Sequence, residues 1–383
     1  TLDGSVGEAE WDQALRVTAL QTTQGRISPR QTTFRLCWDE ETLYVAMQSP
    51  LRPGERPIQA LRRRAPERNV VFDDSYEVFL DVGTHTDDGQ PCFFQFLANF
   101  AGARHDILHL PAVGNSRIGW SSGWEPVNRL TADNVWEWEM AIPRTSIFRV
   151  EPLTDGQEIT MLLARDFKRP WEQNSVEGTS SFSVLATHSR YRLSKSAPAV
   201  HLDSVASPED EGIGLALSAW SKRDGAIQWS FESDSGIRRS GTLQLRGGER
   251  AAIEPLTHLD SPGEGGFRIR VKAADAEAPY LDWSAYRTFG KQPESLPADR
   301  GDVVQLSLAL NPVKDYLRVD GDFVNYDARD MLEAFRVEVK GVDGALVASC
   351  PLSVDKLAYV SGVLRLPGLK PGPYVARLEC LDG

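Results

Sequence analysis

Short runs of alternating apolar and polar residues, each ended by a turn, recur along the whole chain, while 3.6-residue helical spacing is almost missing. Such a pattern restricts the fold to β-sheets that bury one face. TFRLCWDEETLYVAMQ (33–48) reads as two strands around a tight acidic turn. VWEWEMAI alternates large apolar residues with Glu137 and Glu139 and stops at Pro143. CFFQFLANFAG, EITMLLARDF and SSFSVLA read as further strands. GEAEWDQAL is the one helix expected, with a helical turn at PRTSIF.

At 383 residues the chain exceeds one ordinary domain, and about two to four are expected. Two segments rich in acidic, small or proline residues read as linkers: LDSVASPEDEGIG (202–214) and GKQPESLPADRGD (290–302). Many short strands follow each, including a hairpin at VDG with Gly344 free to take positive φ. These stretches have the size and rhythm of an immunoglobulin-like sandwich. The expected fold class is therefore all-β, with three tandem antiparallel β-sandwich domains: 1–202, 203–298 and 299–383. The first is a jelly-roll-type sandwich and the other two are immunoglobulin- or fibronectin-like. The third stops where a further strand is due, so the natural protein is expected to continue. The opening TLDG carries no leader, so any secretion signal is expected to have been removed.

A net charge of −12 argues against nucleic acid, which needs a basic surface. No apolar run approaches the ~20 residues of a membrane helix. Cys37, Cys92, Cys350 and Cys380 are too scattered for a zinc site. They read mainly as buried small residues, although Cys350 and Cys380 could form a disulfide.

NVVFDDSYEVFLDVG (69–83) carries carboxylates where a strand normally carries apolar residues. Tyr76, Val78 and Leu80 suit a buried face, and Asp73, Ser75, Glu77 and Asp81 share the other. Successive acids four apart lie ~13 Å from each other at ~3.3 Å per residue. That exceeds the ~5 to 9 Å of a glycosidase pair. A partner from another strand, such as Glu139, stays open. In HDILH, His105 and His109 read as part of a solvated loop.

With these pieces in order, residues 2–202 resemble the family 9 carbohydrate-binding modules. The resemblance rests on LDGSVGEAEWDQA, TTFRLCWDEETLYVAM, DDSYEVFLDVG, FFQFLANFAG, VWEWEMAIP, LLARDF and TSSFSVL. It implies an antiparallel sandwich attached to polysaccharide hydrolases, non-catalytic, holding a sugar between aromatic rings with charged hydrogen bonds. It also implies that Glu77 is the ligand-facing acid. The chain departs from the pattern at Val71, where a clamp aromatic is due, and at Leu97, where an arginine is due. Tyr191 aligns with the second aromatic and Arg165 with a late arginine, while Gln95 and Trp171 are further candidates. Trp120 and Trp124 form a second aromatic group.

No cofactor is required on this reading. A structural calcium is compatible with the family, without named ligands. A related haem-bearing domain type raises Met47, Met140 and Met161 as axial ligands, though all three read as core. The basic run Arg62, Arg63, Arg64 and Arg68 reads as a solvated loop, or else as a patch that attracts an anionic sugar polymer. Two functions follow. One is a non-catalytic carbohydrate-binding fragment of a larger secreted, periplasmic or surface protein, binding poly- or oligosaccharide. The other is a structural module that has lost sugar affinity and packs against a catalytic or partner domain.

Overall fold

The computed structural model describes residues 2–7, 9–23, 25–52, 57, 70, 73–86, 88–117, 120–167, 172–179, 181–206, 213–256, 265–273, 278–287, 305–311, 316–322, 334–353, 359–368 and 373–381. The described residues up to Arg287 form one compact unit and those from Gln305 onward a second. Both are built from sheets in which every pairing among the described strands but one, β1 with β14, is antiparallel, so the chain is all-β.

The first unit opens with β1 (Leu15–Thr18), β2 (Gln21–Thr22), β3 (Thr33–Trp38), β4 (Thr42–Pro50) and β5 (Ser75–Asp81). Next come β6 (Phe93–Asn99), β7 (Arg104–Leu110), β8 (Asn115–Arg117), β9 (Val127–Leu130) and β10 (Val135–Pro143). β11 (Glu158–Phe167), β12 (Glu172–Ser175), β13 (Ser189–Arg192), β14 (Ala199–Ala206) and β15 (Gly214–Trp220) follow. β16 (Gly225–Ser233), β17 (Arg238–Leu245), β18 (Arg250–Ala252), β19 (Gly265–Ala273) and β20 (Leu281–Arg287) complete it.

Two eight-stranded sheets face each other: β18-β15-β14-β1-β3-β4-β10-β9, and β2-β12-β11-β5-β6-β7-β8 with β13 beside β11. Alternation sends Phe34, Met47, Trp136 and Trp138 of the first toward Tyr76, Val78, Phe94 and Phe96 of the second. Met47, Met140 and Met161 are all in this core, as expected. The N-terminal LDG motif is tied down by Glu139, which is fully buried. Its carboxylate accepts from the backbone N–H of Asp3 (2.8 Å) and Gly4 (2.6 Å) and from the Trp11 indole (2.8 Å). Glu139 is thus an anchor in the other sheet and no partner for Glu77. The expected N-terminal helix is only a 3-10 turn, Ala9–Trp11. The turn at PRTSIF forms as Arg144–Ile147.

The expected boundary at 202/203 falls inside a strand. β14 pairs in parallel with β1 (Arg16↔His201, Val17↔Leu202) and antiparallel with β15, so one sheet runs through both sides of the boundary. A bulge between Leu202 and Ser204 turns Asp203 outward. Asp203 accepts from Arg16 of β1, Arg250 of β18 (3.0 Å) and the Ser218 hydroxyl (2.6 Å). The sheet β17-β16-β19-β20 also docks on the first module. The Trp283 indole N–H donates to Val176 O at 3.0 Å, and the Gln21 amide donates to Val176 O and Ser284 O. Gly178, at φ +62°, makes room for that amide, because a Cβ there would lie 2.7 Å from Gln21 Oε1. The boundary expected at 298/299 lies outside the described residues.

His201 sits in the same joint, 3% exposed, its Nε2–H donating to Ala14 O at 3.0 Å. Burial, helped by Arg35, pulls its pKa down to about 4. The unfolded chain takes up this proton near pH 6.5 and the fold refuses it until about 4, so stability falls as pH drops through that window. Denaturant melts at pH 7.5 and 5.0 are expected to show wild type losing about 2 kcal/mol more than His201→Gln. Equal losses would remove His201 from the pH response.

In the second unit, β21 (Gln305–Asn311), β22 (Tyr316–Asp322), β23 (Ala334–Gly341), β24 (Leu346–Ser353), β25 (Tyr359–Arg365) and β26 (Tyr374–Cys380) form sheets β21-β22-β25 and β24-β23-β26. Val319, Phe335, Val337 and Val360 fill the space between. Gly344 takes φ +80° in the β23–β24 hairpin, as expected. The disulfide does not form: Cys350 is a free thiol. β24 and β26 flank β23, with Cys350 opposite Val337 and Cys380 opposite Phe335. Two strand spacings, ~10 Å, exceed the ~7 Å limit for bridging.

Candidate functional site

Both faces of β5 are buried, which the acidic alternation did not suggest. The inner face carries Tyr76, Val78 and Leu80. The outer face carries Ser75, Glu77 and Phe79, and it is covered by residues 181–188. That stretch, read as a strand in SSFSVLA, is instead turns and a 3-10 segment (Leu185–Thr187). Phe182 and Leu185, three apart, press onto Phe79, Phe93, Leu162 and Ala164. The outer face of β5 is therefore neither solvated nor an open groove.

A gap beside this cover leaves a cavity of about 210 Å³, lined by Thr23, Glu77, Phe79, Gln95, Gln173, Phe182 and Ser183. Glu77 and Gln95 meet there: the Gln95 amide donates to Glu77 Oε2 at 2.8 Å. Gln95 Oε1 in turn accepts from His109 Nε2–H at 2.9 Å, and His109 Nδ1 accepts from Ser116 at 3.0 Å. HDILH is thus not a loop but lies in β7, where a spacing of four puts His105 and His109 on one face. Burial, with His188 close by, pulls His109 down to about 4, so the imidazole is neutral at pH 7.

Asp166 completes the cluster. β11 pairs with β5 so that Ala164 lies opposite Glu77, Arg165 opposite Tyr76 and Asp166 opposite Ser75. Residues directly opposite share a face, so Asp166 joins Glu77 on the outer side and Arg165 turns into the core. Ser75 Oγ donates to Asp166 Oδ2 at 3.1 Å. Burial pushes both acids up, and the Asp166 charge adds to the rise at Glu77.

Of the other expected residues, Arg165 and Tyr191 do not reach the cavity. Arg165 is fully buried between the sheets, stacked on Trp136 and Phe167 and paired with Asp74 at 3.6 Å. Tyr191 lies opposite Ile159, on the core side of β11. Trp171, Val71 and the Arg62–Arg68 run lie outside the described residues. Trp124 is structural, buried with its indole donating to Asp106, and Trp120 packs on Phe94 and Phe96. Asp166, Gln173 and Phe182 were missed. Alternation separates Arg165 from Asp166, but the register that puts Asp166 beside Glu77 is not written in either strand. No group of three or more His, Cys, Asp or Glu that could hold a metal ion occurs among the described residues.

No family model matches the chain, and no curated protein matches it. Among solved structures it is similar to a protein of Bacteroides uniformis provisionally assigned to carbohydrate binding, at 14% identity and TM-score 0.35, over 46% of this chain and 86% of that one. It is also similar to a family 9 carbohydrate-binding module from Caldicellulosiruptor kristjanssonii. With cellotriose bound, that module matches at 13% identity and TM-score 0.34, over 51% of this chain and 90% of its own. With glucose bound it matches at 12% identity and TM-score 0.32, over 51% and 92%. Scores at this level assign no ligand, and the site's chemistry has to be read from its side chains.

Proposed function

We propose that the chain is a non-catalytic carbohydrate-binding fragment, with the sugar held in the outer-face cavity of the first module. The observation that carries this is the Glu77–Gln95 pair, fixed by His109 and opening on a ring-sized space walled by Phe79 and Phe182. Hydroxyls of a pyranose would meet Glu77, Gln95, Gln173 and Ser183, and its C–H face would meet Phe182 in place of Tyr191. In this reading the protein works outside the cell, attached to a catalytic domain that acts on polysaccharide, and the following sandwiches are spacers. Calcium belongs to this reading only as a structural ion, with no ligand named. No helix among the described residues is long and apolar enough to cross a membrane.

A second reading, a packing module without sugar affinity, is favoured by the 3% exposure of Glu77. A glycan array probed with the whole chain separates the two. Binding is expected, and Glu77→Ala and Phe182→Ala should each weaken it by roughly 10- to 100-fold. A chain that folds and binds no glycan would leave only the packing module.

A further inference from the structure

A second cavity, of about 480 Å³, opens on the sheet β17-β16-β19-β20. One face of this sheet is committed to the core through Ile227, Phe231, Leu243, Ile269 and Val271. Alternation sends the residues between them to the other face, and the register sorts them into two rows. Thr242, Gln228 and Lys272 lie side by side, and beside them Ser240, Ser230, Arg270 and Asp282. The short side chains on β16 and β17 make a floor of three hydroxyls and one amide. Arg270 and Lys272 on β19, with Pro279 and Asp282 beyond, stand above it as a wall, and the result is a trough.

The charge of this face runs against that of the chain. A protein of net charge −12 sets four cations here, Arg238, Arg268, Arg270 and Lys272, against two acids, Glu232 and Asp282. Arg268 donates to both oxygens of Asp282, while Arg270 reaches it through Nε alone, at 3.2 Å. The Arg270 Nη groups and the Lys272 ammonium therefore keep donors with no acceptor among the described residues.

We propose that this trough is a second ligand site, taking a saccharide that carries carboxylates, a uronic-acid oligomer. A carboxylate would bridge Arg270 and Lys272 through charge-assisted hydrogen bonds, and ring hydroxyls would meet Ser230, Ser240, Thr242 and Gln228. An inorganic anion would use the cations and leave the hydroxyl floor idle. A neutral sugar would use the floor and leave the cations without a countercharge. The site does not depend on the Glu77 cavity, and it gives the sandwich that carries it a task besides spacing.

Isothermal titration of the whole chain at pH 7 and low salt tests this with trigalacturonate, neutral galactotriose and sodium sulfate. Trigalacturonate is expected to bind at least about tenfold more tightly than either of the others. Arg270→Gln and Lys272→Gln should each weaken it about tenfold, and Glu77→Ala should leave it unchanged. Ser230→Leu fills the floor with every charge in place and should weaken binding at least as much. If that variant fails to fold, the ligand comparison and the two cation variants decide. Wild-type affinity in folded Ser230→Leu would mean attraction by charge alone and overturns the trough. Sulfate binding as tightly as the trimer overturns the saccharide in favour of a small-anion site. Equal binding of galactotriose overturns the acid preference, and loss of trigalacturonate binding in Glu77→Ala moves the ligand to the other cavity. No binding of trigalacturonate overturns the proposal and leaves the Glu77 reading to its own glycan array.

Discussion

Cut after Ala206, the chain is expected to lose its cooperative fold. β14 would keep β1 on one side and lose β15 on the other. Val200, Leu202 and Val205, all within 2% of full burial, would lose the neighbours supplied by Leu215, Leu217 and the sheet beyond. At ~1.5–3 kcal/mol for each such side chain, the loss reaches roughly 5–9 kcal/mol. A domain's whole net stability is only about 5–15 kcal/mol. The cut also leaves Val176 O without its indole donor and Asp203 without Arg250 and Ser218. Thermal and urea unfolding of fragments 1–206 and 1–290 gives the check. The longer fragment should melt in one transition, and the shorter should show a broad, non-cooperative change or aggregate. A sharp melt of 1–206 within a few degrees of the longer fragment would restore the independent first domain.

That expectation corrects the most consequential misreading of the sequence. LDSVASPEDEGIG has a linker's composition, yet Leu202, Val205 and Ile213 within it are buried. Composition averaged over thirteen residues hides Leu202 and Val205, which belong to β14, and Ile213, which leads into β15. The strands themselves were legible. TFRLCWDEETLYVAMQ, VWEWEMAI and EITMLLARDF all form where period two put them, because each buries one face in a large core. SSFSVLA misled for the opposite reason: Phe182 and Leu185 are apolar to cover a sheet, and the backbone between them turns. In the candidate site, Glu77 and Gln95 were legible because one strand's alternation and a resemblance sufficed. Asp166 was not, since its role depends on the pairing of β11 with β5.

Arg165 shows how far one residue of register changes a role. The resemblance offered it as a sugar ligand, and the pairing with Tyr76 makes it a pin through the core instead. Its Nε donates to Ser49 Oγ of the facing sheet at 3.3 Å, and Nη1 donates to Ser75 O at 3.1 Å and to Asp166 O. The guanidinium carbon lies 4.6 Å from the Trp136 ring centre and 4.3 Å from that of Phe167, and Asp74 supplies the countercharge. Arg165→Ala would take a countercharge away from the buried Asp74 carboxylate and open a cavity between two aromatic rings. The expected cost is about 3–5 kcal/mol, read from denaturant midpoints. Arg165→Lys keeps the charge but not the forked hydrogen bonds or the flat stacking, so it should recover less than half of that loss. Whatever remains folded in either variant should bind an outer-face sugar with wild-type affinity, because the sheet separates the guanidinium from the Glu77 cavity. Reduced affinity at unchanged stability would return Arg165 to the binding site.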